Sequence, residues 1–157
     1  LDIDVSIFDN GDTKKEGASP TYDKQFGFAP IFLHLGGGWL VNAKLRPGSS
    51  HSSCAGTDEF ILESVGYARA MVREPILAVA DSGFDSQERA CALIDQPDTD
   101  FIIKHNLRRE PVEGWLALAE EHAQDVEPYT AAKERGEIYR GVITREIGTK
   151  KNKREVR

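Results

Sequence analysis

The sequence predicts an α/β fold: a mixed five-stranded sheet with flanking helices. Three observations carry this reading. The chain opens on LDIDVSIF, where Leu1, Ile3, Val5 and Ile7 alternate with Asp2, Asp4 and Ser6, the period-two pattern of a strand with one polar face. Residues 76–80, ILAVA, form a short continuous apolar run between turn signals, which suits a central strand buried on both faces. Segments with helical spacing then alternate with strands, so that three leading strands are followed by strand–helix–strand units.

The elements follow in order. Residues 9–28 are rich in Asp, Gly, Lys and Ser without a clear period and read as a long loop. Residues 29–35, APIFLHL, make a second strand, Gly36–Gly38 a tight turn, and Trp39 to Leu45 a third strand, together a hairpin. Arg46-Pro47-Gly48 ends it, and a Ser/His/Gly loop runs to Gly56. Thr57 is placed to cap a helix whose first turn holds Asp58 and Glu59, with an apolar stripe of Phe60, Ile61, Val65 and Ala68. That helix reaches about Arg73, before Pro75. After the apolar run, Asp81-Ser82-Gly83 turns the chain and Ser86 caps a second helix through about Asp95. Phe101 to Lys104 form a fifth strand. Val112, Trp115, Leu116, Leu118 and Ala119 mark a third helix over 111–124, broken by Pro128, and Glu137 to Ile147 alternate in part as a sixth strand. Trp39 and Trp115 are expected in the core. The division expected is a first unit over 1–106, and a helix plus the start of a β-rich segment over 107–157.

Composition sets the class. The chain has 157 residues, 39% hydrophobic and 29% charged, enough for one core. No apolar run reaches the ~18 residues of a membrane span, and the opening Leu1-Asp2-Ile3-Asp4 is not a secretory leader, which points to a cytoplasmic protein. With no starting Met, the sequence reads as a piece of something longer. Cys54 and Cys91 sit in no CxxC or Cys/His cluster and are expected as ordinary thiols, not zinc ligands. The net charge of −6 weighs against a nucleic-acid binder, yet Lys150 to Arg157 gather five basic residues against Glu155. That run is either a solvated tail or the start of a DNA-contacting segment.

Two carboxylates carry the candidate chemistry. Asp4 lies on the polar face of the first strand, and Asp81 at the C-terminal end of the fourth, where open α/β sheets bind ligands. If these strands are neighbours, the two acids converge, and paired carboxylates repel unless a cation lies between them. Mg²⁺ takes hard oxygen ligands in octahedral geometry, and two ions ~3.5–4 Å apart serve phosphoryl transfer. Each acid has a plainer reading: Asp4 as a solvated strand residue, Asp81 as a turn former before Gly83. Asp2 rivals Asp4, and Asp85 rivals Asp81. Arg46 could grip a phosphate or pair with a surface acid. His51 is a loop histidine or a substrate contact. Lys14 and Lys15 are solvated loop charges or contacts to a DNA backbone.

Beyond these residues lies a resemblance. The segments LDIDVS, GFAPIFLHLGGGWLVNAKLRPGSSH, ILAVADSGFDS and FIIKHN resemble the DDE-type transposases of bacterial insertion sequences over residues 1–106, and more loosely beyond. The predicted element order also matches the RNase H-like fold of that family. The resemblance implies that Asp4, followed by Val5-Ser6, and Asp81, in Asp81-Ser82-Gly83-Phe84, are two of three catalytic, metal-binding acids. It further implies Mg²⁺ or Mn²⁺ in a two-metal mechanism, DNA cleavage and strand transfer in the intact protein, and a homo-oligomer on DNA. The family's third acid is a Glu on a helix beyond an inserted β-rich segment. Residues 137–147 resemble the start of that insert, and the sequence stops before such a helix. Glu113, Glu120 and Glu121 lie on a nearer helix and are weak substitutes. The piece alone is therefore expected to be inactive. The alternative is a non-catalytic nucleic-acid-binding or remnant module that keeps the fold.

Overall fold

The computed structural model describes residues 1–108, 110–131, 134–149 and 152–156. The chain divides into two compact units, Leu1–Asn106 and Leu107–Arg157.

The first unit is built on β1 (Asp2–Val5), β2 (Phe8–Asp9), β3 (Ser19–Pro20), β4 (Phe26–Phe28), β5 (Ile31–Leu35) and β6 (Trp39–Lys44). Helix α1 (Thr57–Met71), β7 (Ile76–Ala80), α2 (Gln87–Ile94) and β8 (Thr99–Ile103) complete it. Five strands form one sheet in the order β6-β5-β1-β7-β8. β1 is antiparallel to β5, and β5 to β6, while β7 is parallel to both β1 and β8. An antiparallel meander flanked by two parallel strands is the RNase H-like arrangement. β1 lies in its centre, with both edges paired.

The core lies on one face of this sheet. Ile3, Ile31, Leu33, Ala78 and Ala80 meet Phe60, Ile61 and Val65 of α1, Leu93 of α2 and Phe84. Burying such side chains is worth ~1.5–3 kcal/mol each for the larger ones. The expected two-sided burial of β7 is corrected by the structure: Ile76, Ala78 and Ala80 are buried, whereas Leu77 and Val79 are 45% and 38% exposed. The residues of α1 and α2 in the core serve the same sheet face, so an unbroken apolar run here does not mark burial on both sides. Trp39 is likewise corrected: it starts the edge strand β6 beside the hairpin turn and is 77% exposed.

The segment expected as one long loop holds a second sheet, ordered β2-β4-β3. Its strands are two or three residues long, too short for a period to show. Gly27 is required in it, because a Cβ there would lie 2.0 Å from the Phe8 carbonyl oxygen. Thr57 does not cap α1. It is the first helical residue, Gly56 takes the cap position, and the Thr57 hydroxyl accepts from Arg46 instead. Ser86 does cap α2, accepting from the Arg89 amide at 3.1 Å.

The second unit comprises α3 (Val112–His122), β9 (Ala123–Ala131), β10 (Glu134–Gly141), β11 (Arg145–Thr149) and β12 (Asn152–Val156). β9 pairs with β10 and β11 with β12, both antiparallel. Pro128 does not end the helix, which stops at His122; it lies within β9 opposite Glu137. A two-stranded sheet leaves each strand an edge on which proline's missing N–H costs no ladder bond. The strand expected over 137–147 is two strands, with an irregularity at Arg140/Gly141. Trp115 is half-buried; its Nε1 donates to Glu110 at 2.7 Å, and the Arg145 guanidinium lies 5.0 Å from its ring centre. Within the basic run, Lys153 pairs with Glu146 across the β11–β12 hairpin. Lys150, Lys151 and Arg157 lie outside the described residues. No described helix is long and apolar enough to cross a membrane.

Candidate metal-binding edge of the sheet

The register of β1 and β7 positions the two acids. Asp2 faces Val79 and Ile3 faces Ala80; Asp4 follows Ile3 within β1, and Asp81 follows Ala80, the last residue of the neighbouring parallel strand β7. Such strands lie ~4.8 Å apart. Ile3 and Ala80 both point into the core, so the pleat turns the next side chains to the opposite face, where Asp4 and Asp81 are exposed. Neither takes part in a salt bridge among the described residues.

The backbone after Asp81 is braced from several directions. One Asp81 carboxylate oxygen accepts the Gly83 amide at 2.8 Å, capping a short 3₁₀ turn over Ser82–Phe84. Phe84 is fully buried and anchors that turn. The Ser53 hydroxyl donates to the Gly83 carbonyl at 2.8 Å. The loop approaches so closely that a Cβ on Gly83 would lie 2.7 Å from Ser52 Oγ and 3.0 Å from Asp81 Oδ1. Arg89, 3% exposed, donates to Asp58 Oδ1 at 2.7 Å and to the Phe84 carbonyl, with its guanidinium over the Phe84 ring. Asp85 takes His105 Nδ1 and the Asn106 amide, each at 2.9 Å, and Asn106 Nδ2 donates to the Ser82 carbonyl at 3.3 Å. Sequence reasoning missed Arg89, because its partners come together only in the folded chain.

The other candidates fall elsewhere. Asp2 lies two residues behind Asp4, level with Val79 and His34. Asp85 is engaged with His105. Arg46 is corrected on both of its expected roles, since it neither faces solvent nor meets an acid. It is 6% exposed and donates to the Ala29 carbonyl at 3.0 Å, Thr57 Oγ1 at 3.2 Å and Cys54 Sγ at 3.3 Å. Burial pushes its pKa below the ordinary guanidinium value, an effect opposed by Cys54. His51 is exposed, with Nδ1 accepting from the Ser53 amide at 3.1 Å. Lys14 and Lys15 are exposed between β2 and β3, and Cys54 and Cys91 are free thiols. Glu113, Glu120 and Glu121 are exposed on α3, in the second unit.

Chemically, the pair Asp4 and Asp81 fits a hard divalent cation. Mg²⁺ commonly binds through one or two carboxylates, keeping waters and taking phosphate oxygens. Asp81 has one oxygen held by Gly83 and a second available, and two adjacent like charges favour a cation between them. No group of three or more His, Cys, Asp or Glu suited to a metal occurs among the described residues.

No family model matches the chain, and no curated protein matches it. Among solved structures the chain is similar to the piggyBac transposase in a cryo-EM synaptic complex with hairpin DNA, at a TM-score of 0.47 and 13% identity. The match covers 83% of this chain and 28% of that transposase chain.

Proposed function

We propose that this chain is part of the catalytic core of a DDE-type transposase of a bacterial insertion sequence, with Asp4 and Asp81 as two of its metal-binding acids. The observation that carries this reading is the register of β1 and β7, which pairs Ile3 with Ala80, the residues just before the two acids, on adjacent parallel strands. Strand order and the LDIDVS, LRPGSSH and ADSGFDS segments support it. Residues 1–106 are the first part of the core, and 107–157 a helix with the beginning of an inserted β-rich segment.

The geometry supports a role for each acid. Asp4 and Asp81 supply hard oxygen ligands from rigid strand ends, and the Gly83 amide orients the Asp81 carboxylate. Bound Mg²⁺ or Mn²⁺ supplies the activation of water and the charge stabilisation that phosphodiester cleavage and strand transfer need. The partner is DNA.

Calorimetric titration with Mn²⁺ tests this. The chain is expected to bind Mn²⁺ weakly, and Asp81→Asn or Asp4→Asn to lower affinity at least ~10-fold, because carboxylate charge and number set the affinity of such sites. Unchanged affinity in both variants would remove the metal site and favour a non-catalytic nucleic-acid-binding module.

A further inference from the structure

We infer that Lys104 holds a backbone phosphate of a DNA strand beside the ion site; this deepens the proposed function and rests on it. The register across three strands is the ground. Ile3 pairs with Ala80, and Ala80 with Ile103. The residues that directly follow these three paired positions are Asp4, Asp81 and Lys104, the last two just past the ends of β7 and β8. The Lys104 amide donates to the Ala80 carbonyl at 3.2 Å, so the parallel ladder reaches this residue. Ile103 packs against the core, which turns Lys104 to the face that carries Asp4 and Asp81.

The surroundings say what this ammonium does. Asp81 is the acid nearest in register, yet Lys104 forms no salt bridge among the described residues. On its own strand the preceding side chain of that face is Ile102, 58% exposed, and the next acid back is Asp100, about 13 Å away at ~3.3 Å per residue. The sequence across the sheet is therefore acid, acid, lysine, on backbones ~4.8 Å apart. A dication shared by the two acids leaves Lys104 as the group beside it that attracts an anion. A phosphodiester reaching that ion carries further phosphate oxygens along its strand, and ammonium-to-phosphate bonds are charge-assisted. The apolar surface of Leu77, Val79 and Ile102 borders the row, and the exposed Asp2 lies level with Val79, two residues back from Asp4.

The test uses the 157-residue chain, a fluorescent mixed-sequence DNA duplex and Mn²⁺, with anisotropy read over a salt series. Lys104→Ala is expected to weaken DNA binding ~10-fold at low salt and to reduce the log–log salt slope by about 1, since each phosphate neutralised contributes about that much. Lys104→Arg should restore both, and Mn²⁺ affinity in Lys104→Ala should not fall. Lys104→Gln, which keeps an aliphatic stem and a polar end without the charge, should behave as Lys104→Ala. If Mn²⁺ binding depends on Asp81 while Lys104→Ala and Lys104→Gln keep wild-type DNA affinity and slope, the role of Lys104 is overturned and the metal site stands. If Mn²⁺ affinity is indifferent to Asp4 and Asp81, both fall together.

Discussion

At the scale of single residues, Gly83 sits between the Asp81 carboxylate and the Ser52 hydroxyl, close enough that an added Cβ would press on both. Gly83→Ala should therefore disturb the orientation of Asp81 more than the stability of the unit. A drop in Mn²⁺ affinity is expected, with a stability change of no more than ~1 kcal/mol, because the nearest clashing atom ends a flexible side chain. Ser52→Gly in the same background removes both close contacts with that serine side chain and should recover much of the affinity. Calorimetry on the single and double variants would check this; an unaltered affinity in Gly83→Ala would mean the turn does not orient the carboxylate. Asp4 and Asp81 were both legible as positions, one from alternation and one from the end of an apolar run. Arg46 was not. Its partners are a carbonyl, a thiol and a hydroxyl placed around it by three separate segments, so nothing local distinguishes it from a surface arginine.

At the scale of elements, burial within a strand separates structural from tolerant positions. Ile61 of α1 is 1% exposed in the core, whereas Leu77 of β7 is 45% exposed on the other face. Ile61→Ala is expected to cost ~2–5 kcal/mol, the range for truncating a buried aliphatic side chain. Leu77→Ser should cost ~1 kcal/mol or less, as an exposed substitution. Urea unfolding of the two variants measures the contrast, and similar losses would show that the open face is packed in solution. Alternation found β1, the glycine turn the hairpin of β5 and β6, an unbroken apolar run β7, and helical spacing the stripe of α1. Periodicity failed for β2, β3 and β4, whose pairing is a property of the ladder rather than of any two-residue segment. It also failed at Pro128, because a proline that breaks a helix is acceptable on the free edge of a hairpin strand.

At the scale of the whole molecule, the two units differ in how they are held. Every member of the buried cluster, from Ile3 to Leu93, belongs to the first, while α3 buries no residue fully. Amides of β1, β5 and β7 should consequently exchange with solvent at least ~100-fold more slowly than those of β9 and β10, since protection follows the free energy of local opening. Hydrogen exchange followed by mass spectrometry would decide this; uniform protection would mean that the two units open together.

The central place of β1 also has a consequence in time. A strand near the start of the sequence is paired on one side with β5, which follows β2, β3 and β4, and on the other with β7, which follows only after β6 and a long helix. The first pairing closes a shorter loop than the second, and pairings distant along the chain raise the contact order that slows folding. Until β7 arrives, one edge of β1 presents open backbone groups and an alternating apolar row to any other strand nearby. The side of β1 that leads to Asp81 is thus completed only by the pairing most distant along the chain, between β1 and β7.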